Sequence, residues 1–451
     1  MIQLRLAQAA EILGSRLTGD DREFTGCSID SRTIRPGELF FALRGAHFDG
    51  HAYIADVSRK GAGGAVVEML PAAAEMPCIA VANTRLALAQ LASNWRSLFT
   101  LPVVAVTGSN GKTTVKEMIA AVLSDIAPTI STHGNLNNDL GVPLTLFSMG
   151  REHRYAVIEL GANHPGEIAS LTRLVRPTVA VITQCAPAHL EGFGSVDGVA
   201  RAKAEIFEGL AADGTAVINR DDPFADMWLA SAGGMNNITF GLGEGAQFTA
   251  TDLQVDERTG DSDFILHSPQ RSLPVHLQLP GRHNVINALA AGACCHAMGV
   301  SLAQIRDGLQ RMTAIKGRLQ TRPGIRGSVI IDDTYNANPG SLRAALQVLK
   351  SRPGHHWLVL GDMGELGETG EAQHAEAGRL SRDAGVERLF TLGKLSAHAA
   401  RSFGADSHHH DSLDALLAEL SSGIDQGTVV LVKGSRSMAM ERVVEAIAGA
   451  G

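Results

Sequence analysis

Residues Thr107 to Thr114 read T-G-S-N-G-K-T-T; they follow the apolar run Leu101 to Val106 and precede a helical segment that begins near Val115. That order of strand, glycine-rich loop, Lys-Thr and helix is a phosphate-binding loop. Small residues let consecutive backbone N–H groups turn inward on a polyphosphate, Lys112 adds a point charge, and the Thr113 hydroxyl can ligate Mg²⁺ at a helix N-terminus. The candidate nucleotide-binding residues are therefore Thr107, Gly108, Ser109, Asn110, Gly111, Lys112, Thr113 and Thr114. The strict G-x-x-x-x-G-K-T pattern is not met, because Val106 stands where its first glycine would. A glycine-rich turn that holds no phosphate is the competing reading, and the complete strand-loop-helix order disfavours it.

Other residues have types and placements that suit chemistry. Glu159 ends the run Y-A-V-I-E-L-G of residues 155–161, at the C-terminal edge of a parallel strand, where ligands of open α/β sheets collect. With Thr113 it offers hard oxygen ligands for Mg²⁺; the plainer reading is a solvated strand-end acid. Lys203 falls near the centre of the apolar face that Val196, Val199, Ala200, Ile206, Phe207 and Leu210 form if residues 196–210 make one helix. Either its stem snorkels to water, or burial lowers its pKa and leaves a neutral amine free to react. One such reaction is carbamoylation by CO₂, which turns a cation into a metal-binding carboxylate. His189, in P-A-H-L-E-G-F, is a second metal ligand or an ordinary loop imidazole.

The segment G-N-L-N-N-D-L-G, residues 134–141, places Asn135, Asn137 and Asn138 in a loop whose amides suit either a polar substrate or a set of Asx turns. Asn284 opens an apolar helix expected over residues 284–298, where it either reads a base edge or caps the helix. Two acids, two amides and a tyrosine in D-D-T-Y-N-A-N, residues 332–338, have the composition of a site at a strand end. His408 to His410 reads as a solvated loop.

The elements that must position these groups fall into three segments. Residues 1–83 combine a short amphipathic helix with brief strands near 24–29, 39–43 and 64–67, a small α/β unit. Residues 84–312 alternate apolar strands (103–106, 156–160, 179–183 and 216–218) with helical stretches, the pattern of a parallel sheet covered by helices. Residues 313–451 repeat it with strands near 328–331, 357–360, 388–392 and 429–432, a second, doubly wound, Rossmann-like sheet. The expected fold class is thus α/β in three domains, with the nucleotide site at a cleft between domains whose motion can close it.

Bulk composition narrows the partners. A length of 451 residues exceeds one ordinary core, and 45% hydrophobic residues suffice to build several. The net charge of −8, without a long basic run, argues against nonspecific nucleic-acid binding and for a small polar or anionic ligand. Five cysteines contain no C-x-x-C pair, so neither a disulfide framework nor a cysteine zinc site is expected, and a reducing cytosol is the default compartment. The N-terminus offers no apolar export segment, and the richest apolar stretch, 285–303, is interrupted by Asn287 and His296, so no membrane insertion is expected.

Taken together, the motifs resemble the Mur ligase family, ATP-dependent amide-bond-forming enzymes of bacterial cell-wall precursor synthesis. The resemblance runs through nearly the whole chain. It rests on the T-G-S-x-G-K-T loop, S-I-D-S-R (28–32), F-F-A-L-R-G (40–45), D-G-H (49–51), the G-N-L-N-N segment, H-L-E-G-F-G (189–194), D-T-Y-N-A-N (333–338) and K-G-S-R (433–436). It is nearest the branch that joins D-alanyl-D-alanine to UDP-N-acetylmuramoyl-tripeptide; no D-N-P-R stretch of the branch that adds diaminopimelate is present.

The resemblance implies a first segment that binds the UDP substrate through Ser28, Ser31, Arg32, Arg44 and Gly45, with Asn135, Asn137 and Asn138 also toward that substrate. It implies ATP contacts from Asn284, Arg318, Asp333 and Tyr335 beside the phosphate loop. Two Mg²⁺ sites follow from it, one on Thr113 and Glu159, the other on His189 and a carbamoylated Lys203; Lys112, Lys203, His189 and Glu159 are then the catalytic set. The third segment brings the dipeptide. A monomeric bacterial cytoplasmic enzyme is implied. Gln184 departs from the asparagine common in relatives. The rivals are the sibling ligase that adds the third amino acid and an ATP-dependent switch that ligates nothing.

Overall fold

The computed structural model describes residues 1–71, 76–187 and 190–449. Its centre is a six-stranded, all-parallel sheet in the order Asn236–Phe240, Thr215–Asn219, Val179–Ile182, Val103–Thr107, Tyr155–Glu159, Thr129–Ser131. All five residues of Val103–Thr107 are buried, as a strand covered on both faces requires. One face is covered by helix Lys112–Ser124, whose Val115, Met118, Ile119 and Val122 recur at three- and four-residue spacing and are buried. The same layer holds helix Arg282–Ala297, packed through Val285, Leu289 and Cys294.

The first segment forms a five-stranded sheet in the order Leu17–Thr18, Cys78–Ala80, Gly64–Val67, Leu39–Phe41, Cys27–Ser28, parallel except for its first pair. It shares a core with the central sheet: Ile2, Leu6, Phe24 and Phe41 pack with Leu88, Leu91, Phe147 and Leu146, and the Phe41 and Phe147 rings lie 6.4 Å apart. Helix Thr84–Ser97, capped by Asn83 accepting from the Leu86 N–H, carries the chain between them.

The last segment is a six-stranded sheet in the order Gln320–Pro323, Val329–Asp333, Thr428–Lys433, His355–Gly361, Arg388–Leu392, Ser407–His410, antiparallel only at its first pair. Helices lie on both faces, so the two hydrophobic layers of a doubly wound sheet are present. Among the described residues no helix is long and apolar enough to cross a membrane.

Several expectations need correction. Residues 196–210 are not one helix: α-helix Val196–Ala204 gives way to a tighter turn, Glu205–Gly209. The Glu205 carboxylate accepts from the Gly166 and Ala169 N–H groups at 2.7 and 3.1 Å, and Gly209 packs against Thr172 too closely for a Cβ, which holds the turn off the helical path. His408 to His410 is an edge strand, not a solvated loop. His408 and His410 share a face, stack on Phe390 with centroids 5.2 and 6.4 Å away, and meet Glu419. The helix expected from Asn284 starts at Arg282, so Asn284 lies inside it and Gly281 is the cap. An antiparallel sheet of Thr249–Val255, Ser262–His267 and Ser272–Leu277 was not expected at all.

Candidate active site

The phosphate loop crosses the C-terminal ends of the central strands, and its backbone is held by the next strand's exit turn. Ser109 donates its N–H to the Gln184 carbonyl at 2.8 Å, the Ser109 hydroxyl bonds the Ala186 carbonyl and N–H at 3.0 Å each, and Thr183 Oγ1 donates to the Asn110 carbonyl at 2.6 Å. Gln184 acts here through its backbone, so its side chain is not what secures the loop. Gly108 sits at φ +148, and a Cβ there would lie 1.9 Å from Thr183 Oγ1, so only glycine fits. Thr107 is buried beneath the loop, donating to the Leu160 carbonyl at 2.8 Å.

At the mouth of the loop the carboxylate and hydroxyl singled out from sequence meet. Thr113 Oγ1 donates to Glu159 Oε2 at 2.9 Å, and Asn137 Nδ2 donates to Oε1 at 2.8 Å. Glu159 is buried, and its N–H bonds Thr132 Oγ1 at 2.9 Å. Lys112 Nζ donates to the Gly108 carbonyl at 2.7 Å; burial lowers its pKa, Arg318 pushes the same way, and Glu159 and Glu365 oppose it.

The last segment closes over this loop. Arg318 donates to Thr113 Oγ1 at 2.7 Å and stacks 4.1 Å over the Tyr335 ring. Asn338, which caps helix Pro339–Lys350, donates to Asn110 Oδ1 at 2.7 Å. Asp333 is paired with Lys433, and burial nonetheless raises its pKa. Asn284 Nδ2 donates to the Pro280 carbonyl at 2.8 Å, leaving Oδ1 to accept from Asn287 at 3.1 Å. Beside it, burial holds His283 neutral, its pKa pushed down to about 4.

A cleft of about 490 Å³ is lined by Ser109 to Thr114, Asn135, Asn137, Asn138, Glu159, Asn284, Arg318, Asp333 and Tyr335 together. Sequence reasoning missed Asn287, Asn219 and Glu365 in this lining. Asn287 was legible, since it stands three residues after Asn284 on one helix face; Glu365, held at φ +62 in a turn of the last segment, carries no sequence signal.

Other candidates lie apart. Ser28, Ser31, Arg32, Arg44 and Gly45 do not line the cleft and lie on the first segment. There Asp30 grips Arg32 at 2.7 Å, Ser31 accepts from Lys60 Nζ at 2.7 Å, and Arg44 pairs with Asp49 and Glu68. His189 lies outside the described residues. Lys203 is buried at 2% exposure with its ammonium 5.6 Å from the Phe193 ring, so it does not snorkel. Burial, reinforced by the Lys112 charge, lowers its pKa to about 7. Among the described residues no three His, Cys, Asp or Glu side chains converge as a metal site.

Comparison with known proteins agrees with this layout. Three family profiles match in chain order: "Mur ligase family, catalytic domain" over 23–96, "Mur ligase middle domain" over 106–295 and "Mur ligase, glutamate ligase domain" over 317–436. The chain belongs to the Mur ligase family and has its three-domain α/β architecture. Within the family it resembles one branch from end to end. The UDP-N-acetylmuramoyl-tripeptide–D-alanyl-D-alanine ligase of Escherichia coli (strain K12) is 44% identical over 99% of both chains. The crystal structure of MurF from Acinetobacter baumannii superposes with a TM-score of 0.93 at 38% identity, covering 99% of this chain and 98% of that one. MurF from Thermotoga maritima, solved in complex with ADP, gives 0.83 at 28% identity over 94% of this chain and 96% of its own.

Proposed function

We propose that this protein joins D-alanyl-D-alanine to UDP-N-acetylmuramoyl-tripeptide, converting ATP to ADP and phosphate and releasing UDP-N-acetylmuramoyl-pentapeptide for peptidoglycan synthesis. The observation that carries the reading is the meeting of the central and last segments at Thr113, in a chain matched end to end by ligases of that name. A carboxylate is a poor acyl donor in water. Phosphorylation by the γ-phosphate of ATP makes it an acyl phosphate; attack by the dipeptide amine then gives a tetrahedral intermediate that expels phosphate.

This chain's residues have separable parts in that chemistry. The loop N–H groups and Lys112 cradle the phosphates and offset charge on the transferring group. Arg318, held flat by Tyr335, adds a second cation from the opposing domain. Closure of that domain keeps water from the acyl phosphate. Asn284, Asp333 and Tyr335 take the nucleoside; Ser28, Ser31, Arg32, Arg44 and Gly45 hold the uridine diphosphate, with Asn135, Asn137 and Asn138 beside the peptide arm.

Mg²⁺ serves as the family's cofactor with ATP. The donor set fits: the Thr113 hydroxyl and Glu159 carboxylate are hard oxygens 2.9 Å apart at the loop. Bound there, the ion would neutralise phosphate charge. A second ion would be held by His189 and Lys203 as its carbamate, for which the buried amine with pKa near 7 is the chemical requirement. The working unit is a monomer in the bacterial cytoplasm, and residues 1–83, 84–312 and 313–451 are its domains. The test is product mass: with ATP, the tripeptide nucleotide and D-alanyl-D-alanine, the mass must rise by the dipeptide less one water. Product only from UDP-N-acetylmuramoyl-dipeptide and diaminopimelate would assign the sibling step.

A further inference from the structure

The three-stranded sheet Thr249–Val255, Ser262–His267, Ser272–Leu277 supplies no side chain to the nucleotide cleft, yet its first turn grips the last segment. In that turn Asp256 Oδ1 accepts from the Arg258 and Thr259 N–H groups at 2.8 Å each, and Gly260 donates its N–H back to the Asp256 carbonyl at 2.7 Å. The fold of the turn aims the Arg258 and Thr259 carbonyls outward, toward one side chain. That side chain is Arg352, two residues past the end of helix Pro339–Lys350. Arg352 is buried at 5% exposure, and its guanidinium donates to the Arg258 carbonyl, to the Thr259 carbonyl at 2.6 Å and to Thr321 Oγ1 at 3.0 Å.

The turn is shaped for this contact. Gly260 stands at φ +82, and a Cβ there would fall 2.7 Å from an Arg352 nitrogen. Helix Pro339–Lys350, which ends two residues before Arg352, is capped by Asn338, whose side chain bonds Asn110 in the phosphate loop, and between them Val348 packs on Gly281 at the start of helix Arg282–Ala297. One rigid helix of the last segment is therefore fastened to the central segment at both ends. Its length sets where Asn338 falls relative to the loop.

We propose that Arg352 is a positioning residue for ligation: by clasping the turn at residues 256–261 it sets the helix that carries Asn338, and with it the last segment, in register over the phosphate loop. The proposal rests on the ligase reading. It gives the three-stranded sheet a task, as the platform on which the dipeptide-bringing domain closes. A misplacement of about 1 Å between reacting groups can cost on the order of a hundredfold in rate, so a contact remote from the chemistry suffices.

The test compares wild type, Arg352→Met, Arg352→Lys, Gly260→Ala and the Arg352→Met/Gly260→Ala double variant. Each is read by steady-state ligation and by small-angle X-ray scattering with ADP and Mg²⁺. Expected for Arg352→Met is a fall of about tenfold or more in kcat, a KM for the UDP-tripeptide within about twofold of wild type, and a larger radius of gyration. Arg352→Lys, a point charge that bonds only part of the carbonyl pair, falls between. Gly260→Ala breaks the clasp from the other side and gives the same split, and the double variant is no worse than the worse single. Wild-type kcat and radius in Arg352→Met, additive losses in the double variant, or parallel loss of UDP-tripeptide binding would each overturn the proposal. Because scattering does not need turnover, a wild type that fails to ligate would refute the ligase reading while leaving the clasp separately measured.

Discussion

Lys203→Met should make the protein more stable and catalytically dead, and the stability gain should depend on pH. The lysine is buried at 2% exposure with its ammonium 5.6 Å from the Phe193 ring centroid, and burial, with the Lys112 charge, takes its pKa from the ordinary 10.5 to about 7. That difference corresponds to roughly 5 kcal/mol against the folded state. The sign follows from proton counting. Below about pH 7 the amine is protonated in both states and the cost is full; from about 7 to about 10.5 only the unfolded chain holds the proton, so stability rises with pH across that window. Methionine keeps the length and removes the charge. Allowing for repacking, the gain should be about 2–4 kcal/mol at pH 6.5 and well under half of that at pH 9.5. Urea unfolding of wild type and variant at both pH values, in Mg²⁺-free buffer stripped of CO₂, reads the difference through the transition of the central segment. A variant less stable than wild type, or a gain equal at both pH values, would refute the reasoning. Ligation by the variant should fall at least a thousandfold, on the order of what loss of a catalytic group costs; turnover near wild type would remove Lys203 from the catalytic set.

Lys112→Ala should abolish ligation while leaving the far-UV circular dichroism unchanged, because its contacts are two loop carbonyls rather than the core; turnover near wild type would refute its phosphate role. Arg318→Ala loses the Thr113 bond and the Tyr335 stack, and kcat/KM for ATP should fall roughly 10²-fold, the worth of about 2–3 kcal/mol. Unchanged ATP kinetics would show the contact to be ornamental. Glu159→Gln keeps the shape and removes the charge, so the Mg²⁺ concentration for half-maximal rate should rise about tenfold or more, and an unmoved Mg²⁺ curve would discharge Glu159 as a ligand. Gly108→Ala drives a methyl into Thr183 Oγ1, and nucleotide binding should be lost by calorimetry; retained affinity would contradict the fit of the loop.

How much of this was legible in the sequence depends on the range of the signal. Val103–Thr107 and Gly64–Val67 are unbroken buried runs, so short-range pattern sufficed for these strands, but not for Leu17–Thr18, Cys78–Ala80, Thr129–Ser131 and Asn236–Phe240 of the same two sheets. Thr113 and Glu159 were readable as a pair because a parallel sheet brings strand ends to one edge. Lys203 was readable as misplaced because one helical turn is a local quantity, even though the helix ends earlier than periodicity suggested. The three-stranded sheet was not readable: its strands are rich in Thr, Asp, Gln, His and Ser, and only Ser262, Phe264, Leu266, Val275 and Leu277 of them are buried. Contacts such as Arg318 to Thr113, between residues 205 apart in the chain, depend on how two folded segments dock. The histidines at 408–410 failed for a related reason, since the aromatic platform that receives them lies on the neighbouring strand.

The most direct measurement is phosphate release from purified protein with ATP and Mg²⁺, with UDP-N-acetylmuramoyl-tripeptide and D-alanyl-D-alanine supplied separately and together. Sustained release only when both are present, one phosphate for each UDP-pentapeptide formed, is the predicted result. Release indifferent to either acceptor would make the protein a nucleotide-driven switch and contradict the ligase.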